Sequence, residues 1–199
     1  AIDPLVDGIN LTPLADLLAN SKVIKVFHAA RQDVEIFVQQ NGAVPSPLFD
    51  TQIAAMVCGF GDSVGYDRLV EKFAGARIDK GSRFTDWSRR PLSGKQIGYA
   101  LDDVTHLLKV YEALCRQLEI SQRAHWLEEE LGVLTDNATY DQIPEEAWRR
   151  LKLRSRNTQY LGVAKELAAW REREAQRRNM PRNHVLKDEA IQELAAEMP

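Results

Sequence analysis

The hydrophobic pattern changes period early in the chain. Ile2 to Val6, closed by Gly8, and Lys22 to His28 are short and rich in β-branched residues, and both predict strands. Between them Leu11, Leu14, Leu17 and Leu18 follow helical spacing, with Thr12 as the expected cap ahead of Pro13. Val34, Phe37 and Val38 resume helical spacing after the second strand. Such alternation of strands and helices predicts an α/β fold.

Beyond Pro45 and Pro47 the pattern is helical. Asp50 is placed to cap Thr51 to Val57, and Tyr66, Leu69, Val70 and Phe73 form an apolar stripe stopped by Gly75. Arg77 to Pro91 is irregular. One long helix is expected from about Ser93 to Leu118, with Ile97, Leu101, Val104, Leu108, Tyr111, Ala113 and Leu114 on or near one face. Trp126, Leu127, Leu131 and Leu134 prolong the helical pattern. Asn137 to Pro144 is polar and carries turn residues, which predicts a linker. Trp148 to Leu153 and Tyr160 to Arg177 read as basic amphipathic helices, 179–183 as a loop, and Asp188 as the cap of a last helix through Ile191 and Leu194.

Composition bounds what these elements can be. The 199 residues are 44% apolar and 28% charged, enough for one well-cored domain or a medium domain and a small one. No apolar run approaches the ~18 residues that read as a membrane span, and no basic segment leads into an apolar one as in a signal peptide. A cytoplasmic protein without membrane attachment is expected. The chain begins without Met, which fits a piece of a longer protein. Cys58 and Cys115 fall in apolar helical patterns and read as reduced thiols, and the four histidines are too scattered for a zinc site. Net charge is −3, yet Arg149 to Arg182 holds eleven basic side chains against three acidic ones. An acidic body with a basic C-terminal segment suits an enzyme that holds cations in one place and phosphates in another.

Three carboxylate-bearing spots could carry chemistry. Asp33 lies just past a predicted strand, where α/β sites gather; Asp50 adjoins Thr51; Tyr99 and Asp103 are four residues apart on one helical face. A phenol one turn from a carboxylate can orient a water while the carboxylate holds a cation, and two-metal phosphodiester hydrolysis needs several converging carboxylates. Each spot also has a purely structural reading: a first-turn dipole partner or cap for Asp33, a cap for Asp50, ordinary surface or core decoration for the Tyr99/Asp103 pair. Spacing alone therefore leaves a nuclease and a structural role both open.

Sequence context narrows the choice. His28-Ala-Ala-Arg-Gln-Asp33-Val-Glu-Ile-Phe37 resembles the second exonuclease motif of the ribonuclease D branch of the DEDD exonucleases. Leu48-Phe-Asp50-Thr-Gln-Ile-Ala-Ala55 resembles the helix that follows it in that family. Asp79-Lys80, Thr85-Asp86-Trp87-Ser-Arg-Arg-Pro91-Leu92 and Tyr99-Ala-Leu-Asp-Asp103 resemble the segment ending in the third motif, whose tyrosine marks the DEDDy type. Leu167-Ala-Ala-Trp170-Arg171, Arg173-Glu174-Ala175, Pro181-Arg182-Asn183-His184-Val185-Leu186 and Asp188 resemble an HRDC domain, cut after its first two or three helices. The resemblance implies a ribonuclease H-like exonuclease core lacking its first strands over residues 1–136, a linker and helix over 137–154, and a partial HRDC domain over 155–199.

The family's first motif, Asp-x-Glu on an early strand, is expected upstream of the segment that matches Ile2-Asp3-Pro4-Leu5. Asp33-Val34-Glu35 does not replace it, because residues two apart on a helix point about 200° apart; Glu35 reads as solvated, and Asp3 as a lone acid without a ligand role. The resemblance further implies that Asp33 and Asp103 are metal ligands, that Tyr99 orients the attacking water, and that two Mg²⁺ or Mn²⁺ ions serve the site. The substrates implied are RNA 3′ ends, in the manner of tRNA precursors, released as nucleoside 5′-monophosphates, and the 199-residue chain is expected to be inactive by itself. His28 is a nucleic-acid-binding candidate beside a structural reading as a hydrogen-bonded histidine. Arg171, Arg177, Arg178 and Arg182 are candidates for phosphate contacts, against a solvated helix face interleaved with Glu166, Glu172 and Glu174. A catalytically dead nucleic-acid-binding module and a DNA 3′→5′ exonuclease are the alternatives.

Overall fold

Residues 2–10, expected to open as a strand, make successive turns, with Val6 N–H donating to Asp3 C=O and Ile9 N–H to Val6 C=O. Ile2, Leu5 and Val6 stay exposed, so neither a partner strand nor a core rewards extension there. The structure, a computed structural model, describes residues 2–141, 143–178 and 180–197. Helix α1 (Thr12–Ala19) follows; Thr12 lies inside it, and Asn10 Oδ1 takes the first amide, 2.9 Å from Thr12 N.

The strand predicted over Lys22 to His28 forms only as β1 (Lys25–Phe27). Helix α2 (Arg31–Asn41) leads from it to β2 (Leu48–Asp50), a strand that the helical reading of this region missed. The two strands pair in parallel, Lys25 with Leu48, Val26 with Phe49 and Phe27 with Asp50. Gly42, with φ of +74°, ends α2 in the left-handed conformation that residues with a Cβ resist. The fold is therefore mostly helical with a small parallel sheet.

Helices α3 (Thr51–Val57) and α4 (Tyr66–Ala74) lead through an irregular segment, with one 3₁₀ turn at Lys80–Ser82, to α5 (Gly94–Thr105), α6 (Leu107–Ser121) and α7 (Ala124–Thr135). The long helix expected from Ser93 to Leu118 is two helices, broken at His106. Only the second is core: Val110, Leu114 and Leu118 are buried with Phe49, Ala54, Leu69 and Val70. On α5 the predicted stripe of Ile97, Leu101 and Val104 faces solvent, as does Leu108. A second cluster joins Ala30, Val34, Leu48, Leu134 and Tyr140. Tyr140, which falls in the predicted linker, is buried there and donates to Leu134 C=O at 2.6 Å, so the first compact unit runs to residue 140.

The second unit begins at Asp141. Its core combines Ala147 and Leu151, on and just after a 3₁₀ helix (Pro144–Arg150), with Tyr160, Ala164 and Ala168 of α8 (Thr158–Arg178) and Ile191 and Ala195 of α10 (Asp188–Glu197). The loop predicted at 179–183 instead enters a short helix, α9 (Arg182–Val185); Asn179 lies outside the described residues. Among the described residues, no helix is long and apolar enough to cross a membrane.

Asp50 joins both strand ends. Its carboxylate, on a residue only 2% exposed, accepts from Gln52 N–H (2.7 Å) and Ile53 N–H (3.4 Å) as the cap of α3, and from Ala29 N–H (3.0 Å) and Ala30 N–H (2.7 Å) in the turn from β1 to α2. Loss of a cap costs about 1 kcal/mol and each stranded buried amide about 1–3 kcal/mol. Asp50→Ala is therefore expected to destabilise the first unit by about 2–4 kcal/mol. Urea unfolding followed by circular dichroism measures this, and a midpoint equal to the parent's would contradict the double role.

Candidate active site

Asp33 is positioned by the start of α2. The turn before it holds Ala29 at a φ of +56°, unusual for a residue with a Cβ, and its amide bond to Asp50 stabilises that conformation. Asp33 then falls in the first turn of α2, where a carboxylate meets the positive end of the helix dipole. Partial burial nevertheless raises its pKa above the ordinary 3.8, opposed by its own amide and reinforced by the charge of Asp50.

Tyr99 and Asp103 are carried by α5. Ser93 and Gln96 form a reciprocal capping box at its start. The buried Gln96 side chain also donates to Thr85 Oγ1 (3.2 Å) and Asp86 C=O (3.1 Å), which fastens the helix to the irregular segment before it. Trp87 packs on Tyr99 with ring centroids 6.0 Å apart. Asp103 has its pKa raised by partial burial, then by Asp102, then by Asp33. That last influence acts between residues distant in sequence, on separate helices.

Both acids remain reachable from solvent. All-oxygen, like-charged and partly desolvated, they fit a hard divalent cation, which would remove the mutual repulsion. Among the described residues, no group of three or more His, Cys, Asp or Glu side chains is placed to hold a metal ion.

The other candidates fare differently. Asp50 is structural. His28 is half-buried and engaged: Nδ1 is 3.0 Å from Thr51 Oγ1, which itself donates to Phe27 C=O, and the ring packs against Tyr66 at 5.5 Å. Burial lowers its pKa, against the raising influence of Asp50, a hydrogen bond to the Val64 carbonyl, and Asp67. These internal contacts favour the structural reading of His28. Arg171 is a correction. It is 1% exposed, with Nη1 donating to Asp188 Oδ1 (2.6 Å) and Leu186 C=O (3.0 Å), and no phosphate can reach it. Asp188, expected as a cap, spends its carboxylate on this ion pair.

Arg177 and Arg178 are exposed, but both bind Glu174, at 2.6 and 2.5 Å, and hold its carboxyl down at about 2. Arg182 sits half-buried on α9. Asp3, read as a lone acid, accepts both Nε and Nη2 of Arg90 at 2.6 Å, which ties the first turns to the segment before α5. Sequence reasoning missed Tyr66 and Thr51: the first was absorbed into an apolar stripe, and the second was hidden behind its capping neighbour.

A carboxyl that ionises less readily in the folded chain binds more protons there than in the unfolded chain. Its cost to stability is absent below 3.8 and appears as pH rises through the folded value. Asp103→Asn is therefore expected to raise Tm in metal-free buffer at about pH 7 and to leave it unchanged near pH 3. Calorimetry at the two pH values checks the sign, and a lower Tm at neutral pH would contradict the repulsion.

Known proteins resemble the chain over its whole length. The sequence matches the 3'-5' exonuclease family over residues 1–119 and the HRDC domain over residues 161–199. It is 59% identical over 198 residues to the ribonuclease D of Jannaschia sp. (strain CCS1), covering 100% of this chain and 51% of that protein. The chain thus spans about half the length of the curated relatives it matches. The crystal structure of Escherichia coli RNase D, an exoribonuclease involved in structured RNA processing, superposes with a TM-score of 0.84 at 34% identity, over 96% of this chain and 51% of that one. Brucella melitensis NrnC with bound Mg²⁺ superposes with a TM-score of 0.57 at 25% identity, over 72% of this chain and 69% of that one.

Proposed function

Because the chain belongs to the ribonuclease D family of 3′-5′ exonucleases, we propose that it supplies the second and third catalytic motifs of a cytoplasmic, metal-dependent exoribonuclease that trims RNA from its 3′ end, with tRNA precursors as substrates. The observation that supports this reading is the influence of the Asp33 charge on Asp103 from a separate helix, with Tyr99 one turn before Asp103. The Mg²⁺ bound by the related NrnC supports a hard divalent ion.

In this reading Asp33 and Asp103 hold the cations, two Mg²⁺ or Mn²⁺ ions. Such ions lower the pKa of water and balance charge on the phosphate. The Tyr99 phenol hydrogen-bonds the attacking water and aims it at the terminal phosphorus, while Trp87 limits the ring's freedom. The second unit assists through Arg177, Arg178 and Arg182, which contact the sugar-phosphate backbone without reading bases. Two carboxylates cannot satisfy two cations that each seek about six oxygens, so the 199 residues alone hydrolyse RNA slowly.

Release of nucleoside 5′-monophosphates from a single-stranded oligoribonucleotide tests the assignment. In the complete protein product, Asp103→Asn is expected to abolish trimming and Tyr99→Phe to slow it about 100-fold. The 199-residue chain alone is expected to run roughly 100-fold or more below the complete protein. Undiminished activity in Asp103→Asn would remove its role as a metal ligand.

Phosphate contacts have their own signature, since each neutralised phosphate steepens the fall of affinity with salt. Reversing Arg177 and Arg178 to Glu is expected to lower the slope of log affinity against log salt by about 1, because Glu174 already balances part of their charge. An unchanged slope would take these arginines out of the RNA interface.

A further inference from the structure

The break between α5 and α6 has a visible cause. In an uninterrupted helix His106 N–H would donate to the carbonyl of Asp102, four residues earlier. Here the phenol of Tyr66 stands at that gap: it donates to Asp102 C=O at 3.4 Å, with the His106 backbone amide beside it. His106 turns its amide toward Val104 C=O, α5 ends at Thr105, and α6 begins at Leu107. A side chain inserted into the hydrogen-bond ladder is one of the few established causes of a sharp helix interruption. Tyr66 keeps the proton it needs to act as donor, since burial pushes its pKa up to about 12.

The insertion matters because α5 has little else to hold it. Its only buried side chain is Gln96, at the N-terminal end, whereas α6 is anchored by Val110, Leu114 and Leu118. Asp103 lies at the far end of α5, within a turn of the break. Tyr66 is itself fixed at the first position of α4 and packs against His28, which is bonded through Thr51 to the end of β1. The phenol therefore connects the segment that leads into Asp33 with the helix that carries Tyr99 and Asp103.

We infer that Tyr66 is a positioning residue for the exonuclease site: by splitting the 102-to-106 helical bond it sets the direction of α5, and hence where Asp103 and Tyr99 stand relative to Asp33. This rests on the reading of Asp33, Tyr99 and Asp103 as the hydrolytic site. The ring of Phe at this position keeps the contact with His28 and removes only the inserted oxygen. Without it, His106 N–H and Asp102 C=O are free to meet, α5 and α6 approach one continuous helix, and Asp103 moves.

The test uses Tyr66→Phe, with Asp103→Asn as control, in the complete protein product. In Tyr66→Phe, kcat for 3′ trimming is expected to fall about tenfold and the Mn²⁺ concentration for half-maximal rate to rise, with KM for the oligoribonucleotide and Tm little changed; displacement of about an ångström is enough for such losses. Hydrogen exchange at the His106 amide is expected to slow, as the helical bond closes. Unchanged kcat and Mn²⁺ requirement, or a fall in rate that only follows a loss of folded protein, would overturn the positioning role. Unchanged exchange at His106 would overturn the insertion. Full activity in Asp103→Asn would instead show that the underlying site is misassigned, a failure distinguishable from that of Tyr66 alone because it leaves the exchange result intact.

Discussion

The site depends on one carboxylate that does no chemistry. Asp50 gathers four backbone amides, two from the turn between β1 and α2 and two from the first turn of α3. The sheet is only two strands wide and three residues long, too little to fix the exits of its strands by itself. Asp50 supplies the missing constraint by closing both exits on one anion. It sustains the left-handed backbone at Ala29 and fixes where α2 begins. The place of Asp33 follows from that beginning.

The other half of the site is held by polar contacts at the two ends of a helix that the core scarcely touches. At one end the Ser93/Gln96 box and the bonds from Gln96 to Thr85 and Asp86 tie α5 to the preceding segment. At the other the phenol of Tyr66 sits in the helical ladder. Hydrogen bonds at ends specify direction better than they supply stability, since each contributes only about 1 kcal/mol net. A carboxylate that must meet another from a distant segment needs direction most. The exposure of Ile97, Leu101 and Val104 is consistent with this division, because α5 gains its place without burying its apolar stripe.

What could be read from the sequence was local. The i,i+4 relation of Tyr99 and Asp103, the cap at Asp50 and the stop at Gly75 all follow from spacing or from one residue's chemistry, and all appear in the structure. Strand β2 was missed because three residues carry too little pattern. A strand was expected over residues 2–6 because β-branched composition says nothing about whether a partner is there. The break at His106 was illegible for a different reason: its cause, Tyr66, belongs to another helix and looks like any apolar stripe residue. The second half of Asp50's role was hidden likewise, because its extra donors lie some twenty residues upstream. That Asp33 and Asp103 share a site is what the family resemblance implies, and no period in the chain carries it.

Charge was the most misleading local signal. The excess of basic residues between Arg149 and Arg182 ends just short of their partners: Glu145 binds Arg173, Glu146 binds Arg149, and Asp188 binds Arg171. Counted over the whole second unit, residues 141–199, twelve basic side chains face ten acidic ones, a net of +2. The chain's net of −3 then leaves −5 on the first unit, with fourteen basic and nineteen acidic side chains. The body bearing Asp33 and Asp103 is therefore acidic as a whole as well as at the two carboxylates. Such a body repels a polyanion. Neutralising the paired carboxylates removes the part of that repulsion acting at shortest range. Under the proposed function, cations at Asp33 and Asp103 would lessen that repulsion as well as supply the chemistry.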